Sequence, residues 1–209
     1  MNINNQRNSR IPWRGGNRFE LLIDGPRFFP RMLDAIAAAQ RLVLLEMYLV
    51  ESGAVATRFI DALMAAARRG ASVKLLLDDY GARALHRDDR RRLRDGGVEL
   101  AFYNPLQGTK LLGNIFRDHR KLLLVDDRVA FVGGAGITDE FDPPADPASV
   151  WRETMVEIRG PVLADWQALF LEVWNRHARA PAALPLSSPP PAGPSRGRVT
   201  FTRGLLAQE

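Results

Sequence analysis

The stretch from residue 119 to residue 134 constrains the fold of this chain more than any other. It consists of an apolar run, a pair of aspartates and a second apolar run, which is the pattern of two strands joined by a tight turn. Residues i and i+2 of a strand point to the same face, so His119 and Lys121 are expected side by side, about 6–7 Å apart. Asp126 lies an odd number of positions from His119 and is therefore expected in the turn.

A histidine beside a lysine can carry out displacement at phosphorus. Neutral imidazole is a nucleophile or a proton carrier near neutral pH, and an ammonium group two residues away stabilises an anionic oxygen. The pair His119 and Lys121 therefore predicts attack on a phosphodiester, with the lysine holding a non-bridging oxygen. Gly133 and Gly134 allow close approach of the backbone, either to a phosphate or within a tight turn.

Apolar segments with strand character alternate with segments of helical spacing along the rest of the chain. The expected strands are 19–23, 42–50, 73–77, 98–103 and 152–158, and the expected helices are 29–40, 55–69, 86–94 and a last one from Gly160-Pro161 to about 178. This alternation is typical of an α/β fold with a mixed, largely parallel sheet flanked by helices.

The chain length permits one domain and a fraction of another. Residues 1–17, rich in Asn, Arg and Gly, are expected to form a flexible N-terminal arm, and residues 18–180 the folded domain. The segment 181–194 holds six of the 14 prolines, which is typical of a semi-rigid linker. Residues 181–209 are interpreted as this linker and the start of a missing second half.

Charge and composition narrow the class of partner. The net charge of +5 and the pI of about 10.2 suit anionic lipid or nucleic acid, although a solvated charged surface explains them equally well. There are no cysteines, which excludes disulfides and thiolate metal sites. No segment reaches the ~18 apolar residues that span a bilayer, so any membrane contact is expected at the surface.

The motif and its surroundings resemble a known family. His119, Lys121 and Asp126, followed by Gly133-Gly134, resemble the HKD signature of the phospholipase D superfamily. Over about residues 13–180 the chain is similar to the bacterial cardiolipin synthases, above all their B type; the similar stretches are 18–25, 65–70, 73–81, 119–126 and 151–161. The family usually has Gly-Gly-x-Asn, whereas this chain has Gly136 at the asparagine position.

The resemblance implies a phospholipase D-like fold, present here as a single copy of a normally duplicated domain. It implies the catalytic residues His119, Lys121, Asp126 and Glu153, and the substrate-binding residues Gly133 and Gly134. Glu153 falls where a carboxylate orients the catalytic histidine through its second ring nitrogen; an ordinary surface glutamate is the alternative. No metal and no cofactor are implied, because histidine and lysine supply the nucleophile and the charge.

The function implied by the resemblance is cardiolipin synthesis from phosphatidylglycerol through a phosphohistidine intermediate. Such an enzyme is expected to be peripheral to the bacterial cytoplasmic membrane, on its cytoplasmic side. The apolar loop 105–116 before the motif is a candidate lipid-facing lip, or a lid that packs on its own core.

A single copy of the motif supplies only half of such a site. In-line displacement at phosphorus places the attacking and leaving groups on opposite sides, and one histidine cannot serve both. His86 and His177 are the remaining histidines, and neither has a lysine two positions later. A second HKD half is therefore expected from a missing C-terminal region, or from a second copy across a two-fold axis.

Three functions follow in order of preference. The first is a phosphatidyltransferase half, and the second is a catalytically inert half-domain. The third is a homodimeric phosphodiesterase acting on nucleic acid, which is disfavoured because the sequence lacks an aromatic and basic stacking face.

Overall fold

A computed structural model of the chain describes residues 11–106, 116–142, 151–182, 184–185, 188–200 and 204–205. The strands are β1 (Arg14–Ile23), β2 (Leu42–Met47), β3 (Ser72–Asp78), β4 (Glu99–Tyr103), β5 (Phe116–Arg117), β6 (Lys121–Val125), β7 (Val129–Gly133), β8 (Thr154–Arg159), β9 (Ser195–Gly197) and β10 (Gly204–Leu205). The helices are α1 (Gly25–Ala37), α2 (Ala54–Arg68), α3 (Arg87–Asp95) and α4 (Leu163–His177), with a 3-10 turn at Asp139–Phe141.

Eight strands form one mixed sheet in the order β4-β3-β2-β6-β7-β8-β1-β9. The strands β2, β3 and β4 are parallel neighbours, and the remaining pairings of this sheet are antiparallel. The expected mixed α/β fold is confirmed, but its parallel part is smaller than the alternating pattern indicated. The reason is that β6 and β7 are joined by a tight turn, which can only connect antiparallel strands.

Helices cover both faces of the sheet at its centre. Every residue of β2 is buried, because alternate side chains enter two separate apolar layers. One layer lies under α1 and α2 and contains Phe28, Phe29 and Phe59; the other lies under α4 and contains Phe170 and Trp174. A strand with helices on both sides has apolar residues in succession instead of in alternation, as the run Leu42–Leu45 shows.

The helix bounds follow their sequence signals closely, with one shift. Helix α1 begins at Gly25, four residues before the expected start, and ends at Ala37. Pro26 explains the early start, since proline has no N–H to lose in the first turn and its φ already suits a helix. The apolar spacing from Phe29 onwards marks the buried face of this helix and does not indicate where the helix begins.

Both ends of the expected domain pack more extensively than the composition indicated. Arg14 and Asn17, assigned to the flexible arm, lie in β1 and pair with β9, and the Arg14 guanidinium donates to Asp165 of α4 at 2.6 Å. Val199, assigned to the last segment, is buried under α4. Most of the expected lipid-facing loop 105–116 lies outside the described residues.

Candidate active site

The backbone register brings most of the sequence-predicted site residues to one edge of the sheet. Met47 of β2 pairs with Lys121, and Leu122 pairs with Val132, which sets Lys121 opposite Gly133. Gly133 in turn pairs with Met155 of β8. His119 and Glu153 each lie two residues before a member of this row, so both belong to the same edge.

His119 and Lys121 are held against one aromatic ring. Tyr48, directly after β2, stacks on the imidazole of His119 with a centroid distance of 3.8 Å and an interplanar angle of 24°. The Lys121 Nζ lies 5.2 Å from the centroid of the same ring and donates to the His119 carbonyl oxygen at 3.1 Å. All three residues are half-buried and converge at this edge of the sheet, and the His119 Nε2 is itself shielded from solvent.

The glycine pair opens the edge beside this cluster. Gly133 and Gly134 are both exposed, and their neighbours leave no room for side chains. A Cβ on Gly133 would collide with the backbone of Thr154 and with Met155, and a Cβ on Gly134 would collide with the carboxylate of Glu153. The lack of a side chain on Gly134 therefore leaves space for the Glu153 carboxylate at this edge. The lack of a side chain on Gly133 leaves the backbone of β7 exposed there.

Glu153 is fixed at the edge by its neighbours in β1 and β8. Its carbonyl oxygen accepts from the Asp24 N–H at 2.8 Å, and its carboxylate accepts from the Thr154 N–H at 2.7 Å. Asp24 also accepts a hydrogen bond from the Glu153 N–H at 3.3 Å and lies 3.2 Å from the Arg152 guanidinium. The carboxylate thus lies against Gly134, on the side of the edge opposite Tyr48.

Asp126 is not part of this cluster. It lies in the β6–β7 turn, where it was expected, and the five residues of β6 separate it from His119 by roughly 16 Å. Its carboxylate accepts three backbone N–H bonds at 2.8 Å, from Gln40, Arg41 and Leu42. Burial alone would raise the pKa of Asp126, but these bonds outweigh burial and hold the pKa below its usual value. The contacts anchor the hairpin to the start of β2.

Gly136 is explained by a close approach of the chain. The Ile137 N–H donates to the Leu49 carbonyl oxygen at 2.9 Å, and this bond brings residue 136 against Leu49. A Cβ on Gly136 would lie 2.9 Å from both the Cβ and the carbonyl oxygen of Leu49, closer than ordinary van der Waals contact. An asparagine in this position would need Leu49 to move.

Residues 118–120 lie between β5 and β6 and, with Arg117 at the end of β5, are held by contacts among buried charged groups. The Asp118 N–H donates to Asp78 at 3.0 Å, and the Arg120 N–H donates to the Asp118 carboxylate at 3.3 Å. Arg117, fully buried, contacts Asp78 at 3.4 Å. These contacts fix the backbone that carries His119, and no sequence pattern had indicated them.

Within the described ranges, no group of three or more His, Asp or Glu side chains is placed to hold a metal ion. None of the helices in those ranges is long and apolar enough to cross a bilayer.

Comparison with protein families gives a match over the centre of the chain. Residues 32–174 match the family described as "Cardiolipin synthase, PLD-like domain". Cardiolipin synthase A of Pseudomonas aeruginosa is 35% identical over 184 residues, which is 86% of this chain and 37% of that protein. Cardiolipin synthase B of Salmonella typhimurium is 38% identical over 174 residues, 81% of this chain and 41% of that protein.

Solved structures share the fold at lower sequence identity. The phospholipase D family member Nuc from Salmonella typhimurium has a TM-score of 0.60 at 17% identity, with 79% of this chain and 99% of that chain covered. Phosphatidylserine synthase from Haemophilus influenzae has a TM-score of 0.62 at 14% identity, with 81% and 40% covered. The chain spans about two-fifths of the length of the curated relatives it matches.

Proposed function

The chain belongs to the phospholipase D-like family of cardiolipin synthase domains, and from this premise we propose that it supplies half of a phosphatidyltransferase active site. The substrate class is phosphatidylglycerol and the product is cardiolipin. The observation that carries the proposal is the convergence of His119 and Lys121 on the Tyr48 ring at one edge of the sheet.

In the first step an imidazole attacks the phosphorus of one phosphatidylglycerol. The bond from phosphorus to the headgroup glycerol oxygen breaks, and a second histidine protonates that oxygen as glycerol leaves. Lys121 offsets the negative charge on a non-bridging oxygen, which is the main electrostatic requirement of such a displacement. The exposed backbone at Gly133 and Gly134 lets the phosphate approach the sheet edge.

In the second step the headgroup hydroxyl of another phosphatidylglycerol attacks the phosphatidyl-histidine. The second histidine, now neutral, accepts the hydroxyl proton, and the nitrogen–phosphorus bond breaks to release cardiolipin. One molecule of glycerol is produced for each cardiolipin. His119 takes one of the two histidine roles, and Glu153 is proposed to orient an imidazole by accepting its second N–H.

The second histidine has to come from outside the His119 site, because the two roles act on opposite sides of the phosphorus. His86 lies at the exposed start of α3 and His177 at the end of α4, where the His177 ring packs 4.6 Å from that of Tyr103. A second HKD half, from a further region of the gene product or from another copy of the chain, supplies it.

Contact with a membrane surface is the proposed mode of substrate access. Three large apolar side chains near the site edge are strongly exposed: Ile23 at 50%, Phe116 at 45% and Trp151 at 64%. Phe116 lies three residues before His119, and Trp151 two residues before Glu153. Exposed apolar side chains beside a basic surface are typical of peripheral contact with anionic lipid, which is on the cytoplasmic side of the membrane in this proposal.

A homodimeric phosphodiesterase is the second candidate. Nuc and the Helicobacter pylori protein NucT are each matched over 99% of their own length, so a chain of this size stands by itself in those two proteins. A symmetric pair of His119 side chains would meet the same chemical requirement for two histidines.

The decisive experiment expresses the complete gene product in bacterial cells that lack cardiolipin and measures the lipid by mass spectrometry. We expect cardiolipin to accumulate with the wild type and with the control His86→Gln, whose side chain is exposed, and to be absent with His119→Ala. Unchanged cardiolipin in the His119→Ala cells would overturn the proposal.

A further inference from the structure

Behind the segment 118–120 that carries His119 lies a buried cluster with an odd number of ionisable groups. It contains three carboxyl groups, on Glu46, Asp78 and Asp118, and two guanidinium groups, on Arg117 and Arg120. Four of these residues are less than 9% exposed, and the Arg120 side chain is 20% exposed. With every group ionised the cluster would carry one uncompensated negative charge, which a buried site tolerates poorly. One proton therefore has to reside there.

The donors available to each carboxyl group identify the one that holds the proton. Asp78 accepts from the backbone N–H groups of Tyr80, Gly81 and Asp118, each at 3.0 Å. Asp118 accepts from the Arg120 Nε at 3.0 Å and Nη2 at 3.3 Å. Several N–H donors favour an ionised carboxylate. Burial raises the pKa of Asp78 in spite of its donors, but Glu46 has no N–H hydrogen-bond donor among the described residues and is therefore the better candidate for the proton.

Glu46 has the opposite surroundings. Its Oε1 lies 2.8 Å from the Arg120 Nη2, a cation already engaged by Asp118. Neither of its two buried oxygens accepts a hydrogen bond from an N–H group in the part of the chain that the structure describes. A buried carboxyl group without N–H donors is favoured in its neutral form, and a protonated Glu46 could donate to the Asp118 carboxylate. Burial, and next the negative charge of Asp118, raise the pKa of Glu46 well above its usual value.

The pKa of Asp118 moves the other way. Burial alone would raise it, but the hydrogen bond from Glu46 and the charge of Arg120 outweigh burial and lower it.

The titratable and charged groups around Glu46 come from every element packed on this face. Strand β3 contributes Asp78 and Lys74, the latter paired with Glu99 at 2.5 Å. Strand β4 contributes Tyr103, and α4 contributes His177, whose ring lies 4.6 Å from that of Tyr103. Burial lowers the pKa of His177, which keeps this imidazole from adding a third cation to the cluster near neutral pH.

The geometry connects this cluster to the proposed reacting group. Asp118 and Arg120 flank His119 in sequence, and the alternation of side chains turns them to the α4 side of the sheet while His119 and Lys121 turn away from it. Glu46 pairs across the sheet with Leu122, which lies in the layer under α4. A displacement of Asp118 or Arg120 would therefore be transmitted directly to the backbone of His119.

We infer that Glu46 is a positioning residue for His119, whose carboxyl proton joins the Asp118–Arg120 pair and so holds residues 118–120 in place. The inference rests on the proposed function only in taking His119 as the reacting group. Loss of this hydrogen bond loosens the His119 backbone and moves the imidazole relative to the Tyr48 ring.

Ring NMR signals of histidine test the inference on the full chain without any substrate. The chain contains three histidines, and the variants His86→Gln and His177→Gln assign their Cε1–H signals. The His119 signal is sensitive to small movements because the ring is stacked on Tyr48. Glu46→Gln keeps a donor of the same shape, whereas Glu46→Leu removes the donor and leaves two carboxylates balanced by two guanidiniums.

We expect the His119 signal of Glu46→Gln to match the wild type at pH 6, and that of Glu46→Leu to be shifted and broadened while the His86 signal stays unchanged. An unchanged His119 signal in Glu46→Leu, or equal changes in both variants, would overturn the inference. If Glu46→Leu fails to fold, a titration decides. The wild-type His119 signal must then show a second step, as Glu46 ionises, that Glu46→Gln lacks, and identical curves would overturn the inference.

A negative result for the role of Glu46 can be distinguished from a negative result for the proposed function. The ring signal reports on position alone, so it can support the role of Glu46 even if His119→Ala leaves cardiolipin levels unchanged. Conversely, an unaltered His119 signal would leave the lipid experiment unaffected.

Discussion

Tyr48 connects the two reacting side chains of the candidate site at the level of single residues. Its ring stacks on His119 and lies under the Lys121 ammonium, so one aromatic side chain limits the motion of both groups. Tyr48 is itself held from behind, because Gly81 packs so closely on its backbone that a Cβ there would overlap the Tyr48 carbonyl. The ring is therefore a rigid support for the imidazole.

Replacing Tyr48 tests this support. Tyr48→Leu removes the stacked ring, and we expect a kcat lower by about 10- to 100-fold in the complete gene product, since misplacing a reacting group by a fraction of an ångström has effects of this size. Tyr48→Phe retains the ring and should stay close to wild type. A Tyr48→Leu enzyme with unchanged kcat would show that the stack has no part in positioning His119.

The proton on Glu46 also has a thermodynamic consequence. A carboxyl whose pKa is raised in the folded state stabilises the fold fully below its unfolded pKa, near 4.5, and loses that contribution as the pH rises towards the folded pKa. We expect the unfolding free energy of the wild type, relative to Glu46→Gln, to fall above about pH 4.5 with a limiting slope of about 1.4 kcal/mol per pH unit. Urea denaturation at several pH values measures it, and parallel curves would contradict a buried proton.

At the scale of elements, the sequence predicted most helices and strands because their apolar periods were regular. The expected helix 55–69 corresponds to α2 at Ala54–Arg68, and the expected strand 73–77 to β3 at Ser72–Asp78. The hairpin that carries the HKD motif was located correctly for the same reason. Local periodicity could not indicate contacts between distant segments, and so Tyr48, Glu46 and Asp118 were missed as parts of the site.

Asp126 belongs to the HKD motif, but its contacts hold a secondary-structure element in place and do not involve the reacting groups. Its carboxylate ties the β6–β7 turn to three backbone N–H groups at the start of β2, far from His119. We therefore propose a structural role for Asp126. Its φ of 51° is the left-handed conformation that asparagine also tolerates, so Asp126→Asn removes the charge without straining the turn.

The expected result for Asp126→Asn is a loss of about 1–2 kcal/mol in unfolding free energy, because the weaker acceptor is partly open to solvent. The lowered pKa of Asp126 also sets the direction of a pH effect. The contribution of Asp126 to the unfolding free energy is present above its unfolded pKa and is lost as the pH falls through its folded pKa. The exposed Asp95→Asn serves as control and should change little. A stable Asp126→Asn protein that has lost catalysis would instead place Asp126 in the chemistry.

On the scale of the whole molecule, the sheet positions one histidine at the candidate site, and the proposed mechanism needs a second one. The two apolar layers fix the central strands from both sides, and His86 and His177 lie at the ends of helices outside the Lys121 row. In the proposed mechanism the site is completed by a second domain, and we expect activity to depend on how two such domains meet.

That dependence gives a prediction for the 209-residue chain by itself. As a monomer it should have little or no phosphodiesterase activity, because no second histidine faces His119 across the phosphorus. If the chain dimerises, specific activity towards bis(p-nitrophenyl) phosphate should rise with protein concentration along the same curve as the dimer fraction in sedimentation, and His119→Ala should abolish it. His86→Gln is the matched control and should follow the wild-type curve. Turnover that is independent of concentration in a sedimentation-verified monomer, and that still requires His119, would show that one HKD motif is sufficient and that the two-histidine requirement is wrong.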